Sequence, residues 1–251
     1  MNILGQTGLG SAKQVQIEHF LKFYNVDILN CKKINILSDT FENCDFISSS
    51  YQIISNNASN KYGTCCFVTN NFQVENIKYD TSGRVIVFDI ENITFGNIYL
   101  PSGNDPTMRN NRENYSAEII PQLLINCKDR GCIGGDWNSI IKENDATKNS
   151  TQKISPSLRR LVKNFKWSDS FRELHPNSLT FSRYYDHNKF GEGATRIDRQ
   201  YYWGDIEIID VKYVGVAFSD HQAYVVKLKY QVSVPRSSVQ RADLNLRLSQ
   251  K

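Results

Sequence analysis

Short apolar runs separated by polar breaks recur along most of this chain, and their spacing is mainly that of strands. Strand-like runs stand at Val26-Asp27-Ile28-Leu29, Tyr51-Gln52-Ile53-Ile54 and Gly63-Thr64-Cys65-Cys66-Phe67-Val68. Two more cover 84–90 and 93–100, the second stopped by Pro101. Later runs fall at 132–136, 178–182, 195–203, 205–211, 214–218 and 224–230, and Asn2-Ile3-Leu4 reads as the remains of a further strand. Helical spacing is confined to three stretches. Val15, Ile17, Phe20, Leu21 and Tyr24 predict a helix over 12–24. Ile119, Ile120, Leu123 and Leu124 predict one over 110–127, kinked or split by Pro121. A third, over 155–165, opens on a Ser155 cap with Pro156 in the favoured first position. Many strands and few helices predict packed sheets covered by helices.

The pattern holds to about residue 230. After Gln231 it fades through Pro235-Arg236-Ser237-Ser238 into a polar, charged stretch. One domain over 1–230 with a polar tail or linker over 231–251 is the expected organisation. A length of 251 residues suits one large domain, or at most two small ones.

Composition narrows this picture only slightly. With 40% hydrophobic and 22% charged residues the chain reads as soluble and globular. No apolar run is long enough to span a membrane, and no apolar segment follows a basic start. A nuclear or cytoplasmic location is expected, rather than secretion. The formal charge of +4 permits a polyanionic partner without requiring one. The six cysteines (Cys31, Cys44, Cys65, Cys66, Cys127 and Cys132) form no Cys-x-x-Cys pair. They are expected to be reduced and structural, not a zinc site.

Candidate chemistry sits in three separated motifs: Gly135-Asp136-Trp137-Asn138, Arg196-Ile197-Asp198 and Ser219-Asp220-His221. Each ends or follows a strand-like run. Asp136 and Asn138 are two apart, so on a strand both face one side. A turn accounts for Gly-Asp-x-Asn equally well. His221 needs a carboxylate partner if it is to carry charge beside a phosphate, and Asp198 is the candidate. Tyr99, ending a run before Pro101, is either core packing or a phenol that hydrogen-bonds a phosphate. Between Thr180 and Thr195, aromatic residues Tyr184 and Tyr185 mix with Arg183 and Lys189. That mixture suits phosphate contact and base stacking, and it also suits a solvated hairpin. Arg196, beside this segment, is a further candidate for DNA contact. Carboxylates, an amide and a histidine at strand ends are what metal-assisted phosphodiester hydrolysis needs.

These residues, in this order, resemble the endonuclease/exonuclease/phosphatase superfamily, and more closely the endonuclease domains of LINE-type (non-LTR) retrotransposons, relatives of the apurinic/apyrimidinic endonucleases. The carrying segments are Gly10-Ser11-Ala12-Lys13, Val26-Asp27-Ile28-Leu29, Asn97-Ile98-Tyr99-Leu100-Pro101, Gly135-Asp136-Trp137-Asn138, Thr195-Arg196-Ile197-Asp198 and Phe218-Ser219-Asp220-His221. The resemblance implies an α/β fold, a four-layer α/β/β/α sandwich of two mainly antiparallel sheets flanked by helices. It implies nicking of DNA dependent on Mg²⁺ (or Mn²⁺), serving target-primed reverse transcription, with a reverse transcriptase following in a longer polyprotein. By motif position, Asp136 would orient the water and Asn138 would contact the phosphate. Asp198 would pair with His221, while Asp220 and Tyr99 would support metal and leaving group. Thr180 would line the DNA groove.

The pattern breaks near its start. Counted from Asp27, the family's metal-binding glutamate falls at Lys33, preceded by Lys32, and its early asparagine falls at Gly5, with Gln6 the nearest amide. A lysine there repels Mg²⁺ and can instead pair with Asp136 or Asp220, holding phosphate as a point charge. The implied endonuclease is therefore expected to be weakened. The competing readings are a catalytically inactive nucleic-acid-binding remnant and an apurinic-site or other phosphoesterase of the same superfamily.

Overall fold

The computed structural model describes residues 11–32, 45–59, 62–187, 191–217 and 219–230. In chain order the strands are β1 (Ile28–Lys32), β2 (Tyr51–Ser59), β3 (Tyr62–Thr69), β4 (Val74–Tyr79), β5 (Val85–Ile90), β6 (Ile93–Tyr99), β7 (Gly131–Asp136), β8 (Ser168–Asp169), β9 (Arg183–His187), β10 (Gly191–Thr195), β11 (Asp198–Trp203), β12 (Glu207–Val214) and β13 (Ala223–Lys229). The helices are α1 (Ser11–Tyr24), α2 (Asp45–Ser50), α3 (Pro106–Asn114), α4 (Ile120–Leu123), α5 (Pro156–Asn164) and α6 (Ser170–Leu174).

Strand alternation builds four layers. In β3, Cys65 and Phe67 pack with Ile17, Leu21 and Ile47 of α1 and α2, while Cys66 and Val68 point the other way. In β5, Ile86, Phe88 and Ile90 meet Cys66 and Val68, while Val85 and Val87 face α3 to α5 through Tyr115, Ile120, Leu158 and Leu161. Each central strand therefore buries both faces, one against the other sheet and one against helices. The result is the expected α/β/β/α sandwich. A three-stranded sheet, β1-β3-β2, faces a six-stranded one, β4-β5-β6-β7-β11-β8. Every pairing is antiparallel except β6 with β7. Two hairpins, β9-β10 and β12-β13, complete the described strands.

Several sequence expectations change in detail. The 110–127 helix starts earlier, at Pro106, because the Asp105 side chain accepts the Met108 N–H and caps it. A π-helical turn over Tyr115–Ile119 precedes Pro121 and absorbs the predicted kink. The Ser155 hydroxyl accepts the Leu158 N–H, as a cap should. The strand expected over 178–182 is irregular, and the ladder begins instead at Arg183. The run 195–203 breaks at Arg196-Ile197, and of the run expected over 214–218 only Val214 is strand, as the last residue of β12, while 215–217 form none. β4 carries no strand signal in the sequence, since it is an exposed edge strand without an apolar run. The five described cysteines are free thiols. Burial pushes the Cys132 thiol up to about 12. No described helix is long and apolar enough to cross a membrane. The expected tail over 231–251, Asn2-Ile3-Leu4, Gly5, Gln6, Gly10, Cys44, Lys189 and Phe218 lie outside the described residues.

Candidate active site

Register assembles the site. Tyr99 on β6 is the Cα partner of Asp136 on β7, and Asp136 is the partner of Asp198 on β11. The three form one row across adjacent strand ends. All three turn toward the three-stranded sheet, because Ile98, Ile133 and Tyr201 turn toward the helices. Gly135 permits this approach. Its φ of +141° is barred to most residues, and a Cβ there would lie 2.0 Å from the Ile98 carbonyl oxygen. Asn138 takes a φ of +45°, a region asparagine tolerates. Its side-chain amide donates to the Leu100 carbonyl at 2.9 Å, and its backbone N–H donates to Asp136 Oδ1 at 3.0 Å.

Asp198 is pinned from behind by Ser182, whose Oγ accepts the backbone N–H groups of Ile197 and Asp198, both at 3.0 Å. His221 arrives from the loop before β13. An isolated bridge to Arg183 and the Gln222 N–H to Ser182 carbonyl bond (2.7 Å) hold that loop. Its Nδ1 lies 2.6 Å from Asp198 Oδ2. That contact orients the ring and leaves Nε2 facing Lys32, 3.3 Å from its ammonium.

The opposite sheet contributes Lys32. In β1, Leu29 and Cys31 face the helices, so Asn30 and Lys32 point across to the six-stranded sheet. Asn30 donates to the Gly96 carbonyl at 3.3 Å, and Asn97 returns bonds to the Cys31 and Cys65 carbonyls. These polar links join the sheets beneath the site. Lys32 itself is fully buried; its ammonium pairs with Asp136 Oδ2, lies 3.8 Å from Asp198 Oδ1 and 3.3 Å from His221 Nε2. It also lies 5.7 Å from the Tyr99 ring centre. Burial alone would raise the Asp198 pKa, but the charges of His221 and Lys32 outweigh it and hold it below the ordinary value.

Asp136, Asp198 and His221 together offer two carboxylates and an imidazole within 4.8 Å of one another, a donor set able to hold a divalent cation. The ammonium already in their midst does not fit such an ion. A divalent cation about 4 Å from a fixed unit charge is repelled by about 8 kcal/mol at an effective dielectric near 20. Asp198 Oδ1, buried without a hydrogen bond, is the one carboxylate oxygen the lysine leaves unsatisfied in the row.

The remaining candidates divide. Asp220 turns away from the cluster to pair with Arg183 at 3.0 Å, leaving its nearest oxygen 4.0 Å from His221 Nε2. Tyr184 is exposed and Tyr185 half-buried on the β9-β10 hairpin, with Phe181 edge-on to Tyr184. Thr180 is half-buried, 2.7 Å from the Ser178 hydroxyl. Arg196, expected to contact DNA, does not reach the surface. It is fully buried and paired with Asp145 and Asp169, part of a network in which Arg172 and Arg199 also hold Asp145. Lys33 lies outside the described residues, and the cation in the described site is Lys32. Residue counting pointed to Lys33, whereas strand parity from Leu29 and Cys31 selects Lys32. Ser182 carried no sequence signal beyond its nearness to Arg183.

No family model and no curated protein matches the chain. Solved structures do. The NExo 3′ phosphatase from Neisseria, bound to a product DNA hairpin, is 16% identical, with 88% of this chain and 95% of that one covered at a TM-score of 0.67. An AP endonuclease from Archaeoglobus fulgidus is 18% identical over 88% and 95% at 0.67. The APE2 catalytic domain of Xenopus laevis is 17% identical over 89% and 90% at 0.69. The chain therefore has the fold of the endonuclease/exonuclease/phosphatase superfamily.

Proposed function

We propose that this chain is a DNA-binding domain descended from a LINE-type, magnesium-dependent nicking endonuclease, in which the Lys32 ammonium substitutes for the metal ion and nicking is weakened or lost. The observation that carries this reading is the burial of Lys32 among Asp136, Asp198 and His221. Phosphodiester hydrolysis needs charge neutralisation at the phosphate, an oriented water and a stabilised leaving oxygen. Lysine supplies the first as a point charge. It compromises the second, because Asp136 then has one oxygen on Lys32 and the other on the Asn138 N–H. Phosphate binding survives such a change better than cleavage does.

DNA as the partner is supported by the exposed Tyr184, the half-exposed Arg183 and the DNA hairpin bound to the Neisseria relative. The LINE descent rests on the order of the sequence motifs. With it comes the expectation of a reverse transcriptase in the same polyprotein and of work on DNA in the nucleus or cytoplasm.

A supercoiled-plasmid nicking assay with Mg²⁺ or Mn²⁺, run beside a gel-shift on the same DNA, tests the reading. Binding without nicking is expected of the wild type. Wild-type nicking that Asp136→Ala or His221→Ala abolishes would overturn it in favour of an active endonuclease, and an abasic duplex would then identify an apurinic-site enzyme.

A further inference from the structure

A cleft of about 440 Å³ opens beside the site, between α3 and α5. Its lining brings together Arg109, Arg112, Lys153 and Arg160 with one carboxylate, Glu113. None of the four cations has a carboxylate within 4 Å among the described residues. Glu113 is engaged elsewhere, accepting the Ser157 N–H at 2.8 Å. Ser155 accepts the Leu158 N–H, so the first turn of α5 is already capped and side chains carry the positive charge.

Arg112 is the anchor. It is 3% exposed, and its Nη1 donates to the Pro101 and Gly103 carbonyls, which fixes the guanidinium at the cleft wall. Burial and then the neighbouring Arg109 lower its pKa, and the more distant charges of Asp136, Glu113 and Asp105 only partly offset them. Ser139 also lines the cleft, and it follows Asn138 directly in the chain. The cleft therefore begins one residue from the candidate active site.

We infer that this cleft is a phosphate-binding subsite that takes a DNA backbone phosphate beside the candidate active site. The inference rests on the DNA-binding reading above for the source of the phosphate. Planar guanidinium groups fork onto phosphate oxygens, and successive phosphates of one strand lie close enough to occupy neighbouring sites. Contacts of this kind fix register and carry no base preference.

The test uses the full chain and a short labelled duplex, titrated by fluorescence anisotropy at several salt concentrations. Lys153→Ala/Arg160→Ala is compared with Lys212→Ala/Lys229→Ala, an equal loss of charge on β12 and β13. The cleft variant is expected to bind about fivefold more weakly, alike for all sequences, with a log Kd against log[salt] slope shallower by about 1. The control is expected to keep the wild-type slope. A cleft variant indistinguishable from the control, with an unchanged circular dichroism spectrum, overturns the inference. Should the wild type bind no DNA, the functional reading fails, and pyrophosphate calorimetry decides the cleft. Pyrophosphate binding lost in the cleft variant would keep the phosphate site and assign it to a small phosphorylated ligand. No pyrophosphate binding by the wild type would overturn it.

Discussion

Lys32 and Asp136 meet across the gap between two sheets, an ammonium from β1 against a carboxylate from β7, both withdrawn from solvent. Removing one member of such a pair leaves the other as an uncompensated buried charge. Lys32→Met should therefore cost about 3–5 kcal/mol at pH 7. Urea denaturation reads this directly, and wild-type stability in the variant would refute a compensating role for Lys32.

The same pair governs metal affinity. Lys32→Glu removes a repelling charge and adds a carboxylate beside Asp136, Asp198 and His221. Mn²⁺ binding, followed by the EPR signal of the free ion, should tighten by at least about 100-fold over the wild type. The melting temperature of the variant, but not of the wild type, should climb with added Mn²⁺. Equal Mn²⁺ affinity in the two proteins would mean that Lys32 does not exclude the ion.

Acid should destabilise the fold through two buried carboxylates. Burial alone would raise both; for Asp198 the charges of His221 and Lys32 prevail, and for Asp145 those of Arg199 and Arg196 with the Arg172 bond. Both pKa values are thus lower folded than unfolded, where an aspartate titrates near about 3.9. Their contribution is complete above that unfolded value and is lost as pH falls toward the folded ones. Asp145→Asn should lose about 3–5 kcal/mol at pH 7, because Arg172 and Arg199 lose their carboxylate partner and Arg196 keeps only Asp169. It should also show a flatter decline in stability than the wild type below about pH 4. Melts across a pH series measure both, and parallel acid limbs would argue against the assignment.

Gly135→Ala should cost about 3 kcal/mol or more, since the added methyl meets the Ile98 backbone and not a yielding side chain. The damage should reach the site as well, because Asp136 is the next residue. Chemical denaturation and a gel-shift report the two effects separately. A stable variant with intact binding would show that β6 and β7 can separate locally.

How much of this was legible in the chain differs by residue. The Asp136, Asp198 and His221 cluster was, because each motif closes or follows an apolar run and strand ends converge. The α5 start was, because Ser155 and Pro156 are local signals. Arg196 misled, since its burial depends on Asp145 and Asp169, which lie far from it in sequence. Asp220 turned to Arg183 for the same reason: a hairpin and a loop distant in sequence meet only in the fold. β4 escaped because an exposed edge strand has no inward stripe to advertise it.

The aromatic packing behind the site has an optical consequence. All three tryptophans of the chain, Trp137, Trp167 and Trp203, belong to one cluster, with Trp167 edge-on to Trp137 at 6.3 Å and stacked on Trp203 at 5.8 Å between ring centres. Trp137 is the residue after Asp136, and its indole N–H is donated to the Arg199 carbonyl on the strand that also carries Asp198. Excitation anywhere in the cluster is therefore shared with an indole tethered to the row of acids. The protein carries its own fluorophore at the back wall of its site, and unlabelled ligand titrations can be followed by intrinsic emission alone.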